Sequence, residues 1–218
     1  MTQTSVVAFV DWTAQIHIAG GTGIRNPRTR ATVTLENVSK IISSTLKKLS
    51  ANTNVRFRVT LRLYHGWHRG LNPTENRIAV MDVVNDPDFV FSVNSKDIHI
   101  ENQIGYGETL LNSLPHRFVQ QSGKSMPKIN LPDTFRRPLN DNIPREKMVD
   151  TSLACDILTH ARSDSRDWRL VLAEDDDLVP ALFVAEAWSK SRGGRTVLVR
   201  RRKNNNYLSL DGLLQEID

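Results

Sequence analysis

The sequence predicts an α/β protein built on a mainly parallel sheet. Two observations predict this class: short, valine-rich apolar runs recur along the chain, and segments with helical spacing of apolar residues lie between them. This alternation is typical of βαβ units, whose strands are covered by helices. A chain of 218 residues is long enough to form one such domain, so we predict a single domain over residues 1–218.

The first part of the chain predicts a strand, a long helix and a second strand. The run "SVVAFVDW", residues 5–12, is almost continuously apolar, as in a strand buried on both faces. Apolar residues recur at helical spacing over 35–49, with Thr34 as the expected N-cap. Over 55–63 apolar residues alternate with arginines, which predicts a strand with one wet face near an edge of the sheet.

The middle of the chain is less regular. A helix is predicted over 74–84, and "DFVFSV", residues 88–93, predicts a further strand. Residues 94–144 are punctuated by prolines and carry few periodic apolar residues. We expect long connections with short elements there, in an insertion within the domain or a flap.

Helix and strand patterns alternate again towards the C-terminus. The predicted elements are a helix from about Asp150, a strand over 168–173, a helix over 178–191 with Pro180 in its first turn, a Gly-Gly stop before a last buried strand within 193–201, and a short helix over 210–217. These lengths indicate parallel βαβ units.

Composition excludes several classes of protein. The chain has 39% hydrophobic and 24% charged residues, which is typical of a globular protein, and no apolar run approaches the roughly 20 residues of a membrane span. Asp11 interrupts the first apolar run too early for a secretory signal, and the lone Cys155 excludes an internal disulfide, so we expect a cytoplasmic protein. The net charge of +5 permits binding of a polyanion.

Acidic residues fall at the ends of predicted strands. Asp11 ends the first strand, and Asp175 and Asp177 follow the strand over 168–173. Because ligands bind beyond the carboxyl ends of parallel strands, these acids should share one edge of the sheet, and the helix start at Asp150 could reach the same edge. Two carboxylates ~5 Å apart repel by ~3 kcal/mol at an effective dielectric of about 20. Oxygen ligands without cysteine favour Mg²⁺ or Mn²⁺ as the neutralising ion.

Each acid also has a simpler explanation. Asp150 and Asp177 could be N-caps of the helices that follow them, and Glu174 and Asp176 could be solvated neighbours. Asp11 is harder to explain in this way, because an ionised group at the end of a buried strand usually needs a partner. Taken together, the acids favour a cation site.

Three motifs occur in register with the predicted elements: "VAFVDW", "EKMVDTSLACDIL" and "LVLAEDDDLVPAL". In this order they resemble the NYN domain, a branch of the PIN-like ribonucleases. The resemblance covers the N-terminal strand and residues 145–202, but not 94–144. The matching positions are Asp11, Lys147, Asp150, Asp156, Asp175, Asp177 and Pro180.

This resemblance implies a Rossmann-like, three-layer α/β/α fold of the PIN-like type and metal-dependent hydrolysis of RNA. The implied cofactor is Mg²⁺ or Mn²⁺. Lys147 would contact substrate phosphate, and Asp156 and Thr13 would support the site, Asp156 through the structure of its helix. The implied catalytic and metal-binding residues are Asp11, Asp150, Asp175 and Asp177.

Basic and aromatic side chains supply further candidates for binding RNA. They are Arg25, Arg28 and Arg30 in "RNPRTR", and His65, Trp67, His68 and Arg69 in "YHGWHRG". Aromatic rings next to cations suit base stacking and phosphate contact. A solvated surface remains the alternative for both segments.

We therefore predict a metal-dependent endoribonuclease that binds single-stranded or structured RNA, with no membrane partner and with a homodimer left open. The alternative is a catalytically degenerate NYN-like module that binds RNA or protein, because Ala14, Glu174 and Leu178 stand where the family usually has Asn, Gly and an aromatic residue. A phosphatase-like hydrolase with Asp11 as nucleophile is disfavoured, since Thr13 replaces the second Asp that such an enzyme needs.

Overall fold

The computed structural model describes residues 2–51, 55–111, 129–130, 134–136, 145–164, 166–201 and 207–209. Within these ranges, helices pack on a central sheet of seven strands. The helices are α1 (Trp12–Ile18), α2 (Pro27–Leu49), α3 (Glu75–Val84), α4 (Val149–Ser163) and α5 (Val179–Ser189). The strands are β1 (Thr2–Asp11), β2 (Val55–Tyr64), β3 (His68–Arg69), β4 (Asn72–Pro73), β5 (Ile98–Ile100), β6 (Gly105–Tyr106), β7 (Thr109–Leu110), β8 (Ile129–Asn130), β9 (Phe135–Arg136), β10 (Arg145–Glu146), β11 (Trp168–Leu172), β12 (Arg195–Val199) and β13 (Tyr207–Ser209).

The central sheet has the order β13-β12-β11-β1-β2-β5, and β6 also pairs with β2. Its strands pair in parallel, except that β12 and β13 are antiparallel. The prediction of an α/β protein with a mainly parallel sheet is therefore confirmed. The half-wet strand β2 lies beside the short outer strands β5 and β6, near an edge as its alternating pattern predicted.

Side chains of β1 alternate between two cores. Val6, Ala8 and Val10 pack with α1, α2 and α3, whereas Phe9 packs with α4 and α5 on the opposite face of the sheet. Full burial of a valine or phenylalanine contributes about 1.5–3 kcal/mol, so both helix layers are held by the same strand. Helices on both faces make an arrangement that is compatible with a three-layer α/β/α fold.

Helix α2 begins earlier than its apolar spacing predicts. Asn26 is the N-cap, because its side chain accepts a hydrogen bond from the amide of Thr29 at 3.0 Å, and Pro27 follows in the first turn. The prediction of Thr34 as N-cap was wrong. Thr34 is buried within the helix and donates its hydroxyl to the Arg30 carbonyl at 2.8 Å. The polar first two turns hide the true start from a hydrophobic pattern.

The prediction of a strand over residues 88–93 was also wrong. This stretch consists of turns and irregular backbone after Pro87, and Phe89 and Phe91 pack edge to face with ring centroids 5.1 Å apart. Phe91 is buried in the core and Phe89 and Val93 pack against it, so a loop supplies these core contacts. The outer strand is β5, ten residues further along the chain from Asp88, with Ile98 and Ile100 buried.

The other predicted elements agree with the structure where it describes them. The helix over 74–84 is α3, the strand over 168–173 is β11, and Gly193 ends the helical segment before β12 with a φ of 85°. Strand β13 was missed, and the helix predicted over 210–217 lies outside the described residues. The described parts of 94–144 contain strands of two or three residues. None of the described helices is long and apolar enough to cross a membrane.

Candidate functional site

The register of the sheet brings three strand ends to one edge. Val10 of β1 is level with Leu172 of β11, and Asp11 is level with Tyr64 of β2. The acidic turn after β11, the carboxylate of Asp11 and the residues after β2 therefore follow neighbouring strands at the same end of the sheet. Ligands of parallel α/β proteins bind at this end.

Asp11 is the most perturbed carboxylate at this edge. Its side chain caps α1 by accepting a hydrogen bond from the Ala14 amide at 3.1 Å. Burial raises the pKa of Asp11 from 3.8 to about 6; the Ala14 hydrogen bond opposes this rise, whereas the negative charges of Glu146 and Asp150 add to it. Asp11 is therefore a capping residue that also lies in the field of other carboxylates.

Asp150 connects Asp11 to the acidic turn electrostatically. It lies in the first turn of α4, whose N-cap is Met148 in the left-handed region with a φ of 66°, so Asp150 is not itself the N-cap. Partial desolvation raises the pKa of Asp150, and the charges of Asp175, Glu146 and Asp177 raise it further. The pKa of Asp150 therefore depends on carboxylates from two other segments of the chain.

The acidic turn has an internal structure of its own. Asp175 accepts a hydrogen bond from the Asp177 amide at 2.8 Å and caps the short 3₁₀ turn Asp176–Leu178. Asp176 pairs with Arg200, and Glu174 accepts from the Arg201 amide at 2.7 Å. The capping role that the sequence suggested for Asp177 belongs to Asp175.

Sequence reasoning missed Glu146, although it is a central member of this edge. Its carboxylate accepts hydrogen bonds from the Thr13 hydroxyl at 2.8 Å and the Gly66 amide at 2.6 Å, and it pairs with His65. These partners outweigh the effect of burial and lower the pKa of Glu146, so it is ionised. It lies on β10, which has only two residues, so no periodic pattern marks it.

The backbone at Gly66 allows this contact. A Cβ at position 66 would lie 2.8 Å from the ring of Phe135 and 3.2 Å from Cγ of Glu146. The β9–β10 hairpin therefore packs directly against the segment that follows β2.

His65 is held in one tautomer by a chain of side chains. Arg30 donates from Nη2 to Oδ1 of Asn76 at 2.8 Å, and because arginine can only donate, the Asn76 amide orientation is fixed. Nδ2 of Asn76 then donates to Nε2 of His65 at 2.7 Å. The proton of the neutral ring is therefore on Nδ1, between Thr13 Oγ1 at 2.8 Å and the Glu146 carboxylate.

Trp67 lies in the core, not at a nucleic-acid surface. It is fully buried, its ring contacts those of Trp12 and Tyr106, and its indole N–H donates to the Leu63 carbonyl at 3.1 Å. A base cannot stack on a ring in this position without repacking of the core. Its neighbour His68 contacts a side chain of the protein itself, because Nδ1 of His68 lies 3.2 Å from the Glu108 carboxylate.

Three of the arginine candidates contact other side chains of the protein. Arg28 pairs with Asp86, and Arg30 donates a hydrogen bond to Asn76. The guanidinium of Arg69 lies 5.6 Å from the centre of the Phe135 ring. Arg25 and Lys147 are exposed. Lys147 follows Glu146 directly, which places a cation beside the acidic edge.

Asp156 belongs to a buried structural network. Its carboxylate pairs with Arg62 at 2.7 Å, and it accepts from the Tyr64 hydroxyl at 2.7 Å and the Leu111 amide at 2.8 Å. The network ties α4 to β2. Thr13, the other expected supporting residue, contacts Glu146 and His65 at the acidic edge.

The acidic edge does not form a closed metal cage. Among the described residues, no group of three or more His, Cys, Asp and Glu side chains is arranged to hold a metal ion. The carboxylates are coupled through their charges instead. An ion such as Mg²⁺, which keeps several waters and uses one or two carboxylates, fits such an open donor set better than a metal that needs a complete cage.

Together, the fold and this edge define an α/β protein with a mainly parallel sheet and a cluster of interacting carboxylates beyond its carboxyl ends. Comparison of the chain with protein-family models, with curated proteins and with solved structures finds no match. The chemistry of the site therefore has to support any function by itself.

Proposed function

We propose that the protein is a metal-dependent endoribonuclease of the PIN-like, NYN type. The observation that supports it most is the pKa of Asp11, which burial raises to about 6 and to which the negative charges of Glu146 and Asp150 add. Burial beside other carboxylates makes the ionised form of Asp11 costly until a cation neutralises it. The NYN resemblance of the three motifs supports the same proposal.

The donor set suits a hard divalent ion. Asp11 and Asp150 would hold Mg²⁺ or Mn²⁺. Asp175 and Asp177 are close enough to Asp150 to raise its pKa. A bound ion of this class supplies an activated water and offsets the charge of a phosphodiester.

Protein side chains would prepare the rest of the reaction. Glu146 is ionised and held by His65, Thr13 and the Gly66 amide, so it adds a fixed negative charge and anchors the segment that carries Lys147. Lys147 and Arg25 are exposed cations that can contact backbone phosphates. The net charge of +5 favours approach of a nucleic acid.

A binding-only module is the second candidate. It is favoured by the capping role of Asp175 and by the open arrangement of the acids among the described residues. Such a module would bind RNA equally well in chelator and release no product.

The deciding experiment measures cleavage of end-labelled single-stranded and structured RNAs with Mn²⁺, Mg²⁺ or EDTA. We expect metal-dependent cleavage, and at least a roughly hundredfold loss of rate in Asp11→Asn, because the metal site loses a charged ligand. Asp82→Asn is the matched control, since Asp82 is exposed on α3. Cleavage that persists in Asp11→Asn, or that never occurs with any metal, contradicts the enzyme assignment.

A further inference from the structure

A cavity of about 300 Å³ lies beside the acidic edge, on the face of the sheet that α1 and α2 cover. Leu172 and Val199, the last residues of β11 and β12, form its floor, and Ile41 of α2 adds to the apolar wall. Glu174 and Arg201 also line the cavity, and the Arg201 amide donates a hydrogen bond to the Glu174 carboxylate. The cavity therefore opens next to the acidic turn.

Two buried polar atoms of the cavity wall have no hydrogen-bond partner among the described residues. Gln15 is 1% exposed, and its Oε1 has no hydrogen-bond partner in the described part of the chain; the same holds for the buried Nδ2 of Asn37. Buried polar atoms of native proteins are almost always paired, with protein groups or with ordered water, so this acceptor and this donor are available to a ligand that enters the cavity. The volume is far above the roughly 30 Å³ of a single water.

The combination suits the edge and faces of a nucleobase. The four bases order donors and acceptors differently along their Watson–Crick edges, so one side-chain acceptor and one side-chain donor at fixed positions complement some bases better than others. The apolar floor of Leu172, Val199 and Ile41 suits the flat faces of the ring. Arg200 and Arg201 also line the cavity, and the exposed Arg201 is a cation that the phosphates of a strand could contact.

The cavity and the acidic edge are linked through the chain at two points. Gln15 lies one turn into α1, the helix that Asp11 caps, and Glu174 lies directly before Asp175. A base in the cavity would therefore hold the strand beside the carboxylates.

We propose that this cavity binds one unpaired nucleobase of the RNA and so gives the protein a base preference; this inference rests on the proposed function and extends it to substrate selection. The same chemistry could be supplied by a free nucleotide, and the experiment separates the two sources.

The test measures binding by fluorescence anisotropy for labelled oligo(A), oligo(C), oligo(G) and oligo(U), with the four mononucleotides as competitors. EDTA is present throughout, so cleavage plays no part. We expect the protein to prefer one oligomer, and Gln15→Met and Asn37→Leu each to lower that affinity about tenfold and flatten the preference. Gln103→Met is the control, because Gln103 is exposed near β6, on the far side of the sheet from β12.

Thermal unfolding of the same variants separates binding from structure. If Gln15 and Asn37 serve to bind a ligand, apolar residues of similar shape remove unpaired buried polar atoms, so they leave the Tm unchanged or higher. Equal affinity for all four oligomers, or a lower Tm without a change in preference, would overturn the base site. A mononucleotide that competes as strongly as the oligomer would assign the site to free nucleotide. Base preference without any metal-dependent cleavage would retain this site and remove the enzyme.

Discussion

At the scale of single residues, Asp11 shows how a residue of the candidate site can oppose stability. Its pKa is raised to about 6, so at neutral pH the folded protein holds an ionised group in a place that favours the protonated form. In the unfolded chain Asp11 has its ordinary pKa of 3.8, so ionising it at neutral pH costs no free energy there. Such a residue is more readily explained by ligand binding than by folding.

We therefore expect Asp11→Asn to stabilise the metal-free protein at pH 7.5 by about 3 kcal/mol, since the pKa of Asp11 is raised by about two units and each unit corresponds to about 1.4 kcal/mol. Asparagine also caps helices well, so the hydrogen bond to Ala14 is retained. Urea unfolding in EDTA measures the effect, with Asp82→Asn as control. A destabilised Asp11→Asn would show that the carboxylate serves the fold.

The sequence could predict the strand-end position of Asp11 and single out His65 as a candidate for binding RNA, but it could not predict Glu146 or the contact of Glu146 with His65. Asp11 ends a long apolar run, so its position at a strand end can be read directly. Glu146 meets His65 across 81 residues of chain, and that contact depends on how a two-residue strand packs. Gln15 and Asn37 are likewise ordinary helix residues until the cavity between them is seen.

At the scale of elements, the small β9–β10 hairpin is fixed to the end of β2. Glu146 of the hairpin accepts hydrogen bonds from Nδ1 of His65 and from the Gly66 amide, and Phe135 closely approaches Gly66. None of these contacts uses the central sheet. The hairpin is therefore positioned by side chains of the candidate site.

A double-mutant cycle of Glu146→Gln and His65→Gln should measure this coupling. We expect each single change to reduce the free energy of unfolding by about 2 kcal/mol, because each breaks a charge-assisted hydrogen bond, and the double change to cost clearly less than their sum. Urea unfolding of the four proteins gives the values. Additive effects would mean that the two residues act independently.

Predictions of elements agreed with the structure where strands were buried on both faces. They were wrong where a capping residue or a loop, and not apolar periodicity, determined the structure. β1, β11 and β12 follow directly from their apolar runs. The start of α2 depends on Asn26 and Pro27, which an apolar periodicity does not detect. The loop at 88–93 imitates a strand because Phe89 and Phe91 are needed in the core.

At the scale of the whole molecule, two buried groups give opposite pH dependences. Burial, and then the charge of Arg169, lower the pKa of His160 from 6.5 to about 4, so its contribution to stability is complete above pH 6.5 and is lost as the pH falls to 4. The raised pKa of Asp11 has the reverse effect: its contribution is complete below pH 3.8 and is lost as the pH rises through 6.

We expect these two contributions to cancel largely in the wild-type protein between pH 4 and 6.5. Relative to wild type, Asp11→Asn should then lose stability and His160→Gln should gain it as the pH falls through this window, each by about 3 kcal/mol. Urea unfolding at half-unit pH steps in EDTA measures the difference profiles. His99→Gln is the control, because His99 is exposed on β5. Parallel profiles for all four proteins would contradict the opposition.

Strand β13 has a consequence for handling the protein. Its three residues form the outer, antiparallel border of the sheet and cover Val197, Leu198 and Val199 of β12. Cutting the chain after residue 201 would make β12 an exposed edge strand with aliphatic side chains and unpaired backbone amides and carbonyls. A strand of a second molecule could then pair with it. Truncations and affinity tags are therefore better placed beyond residue 209 than before it.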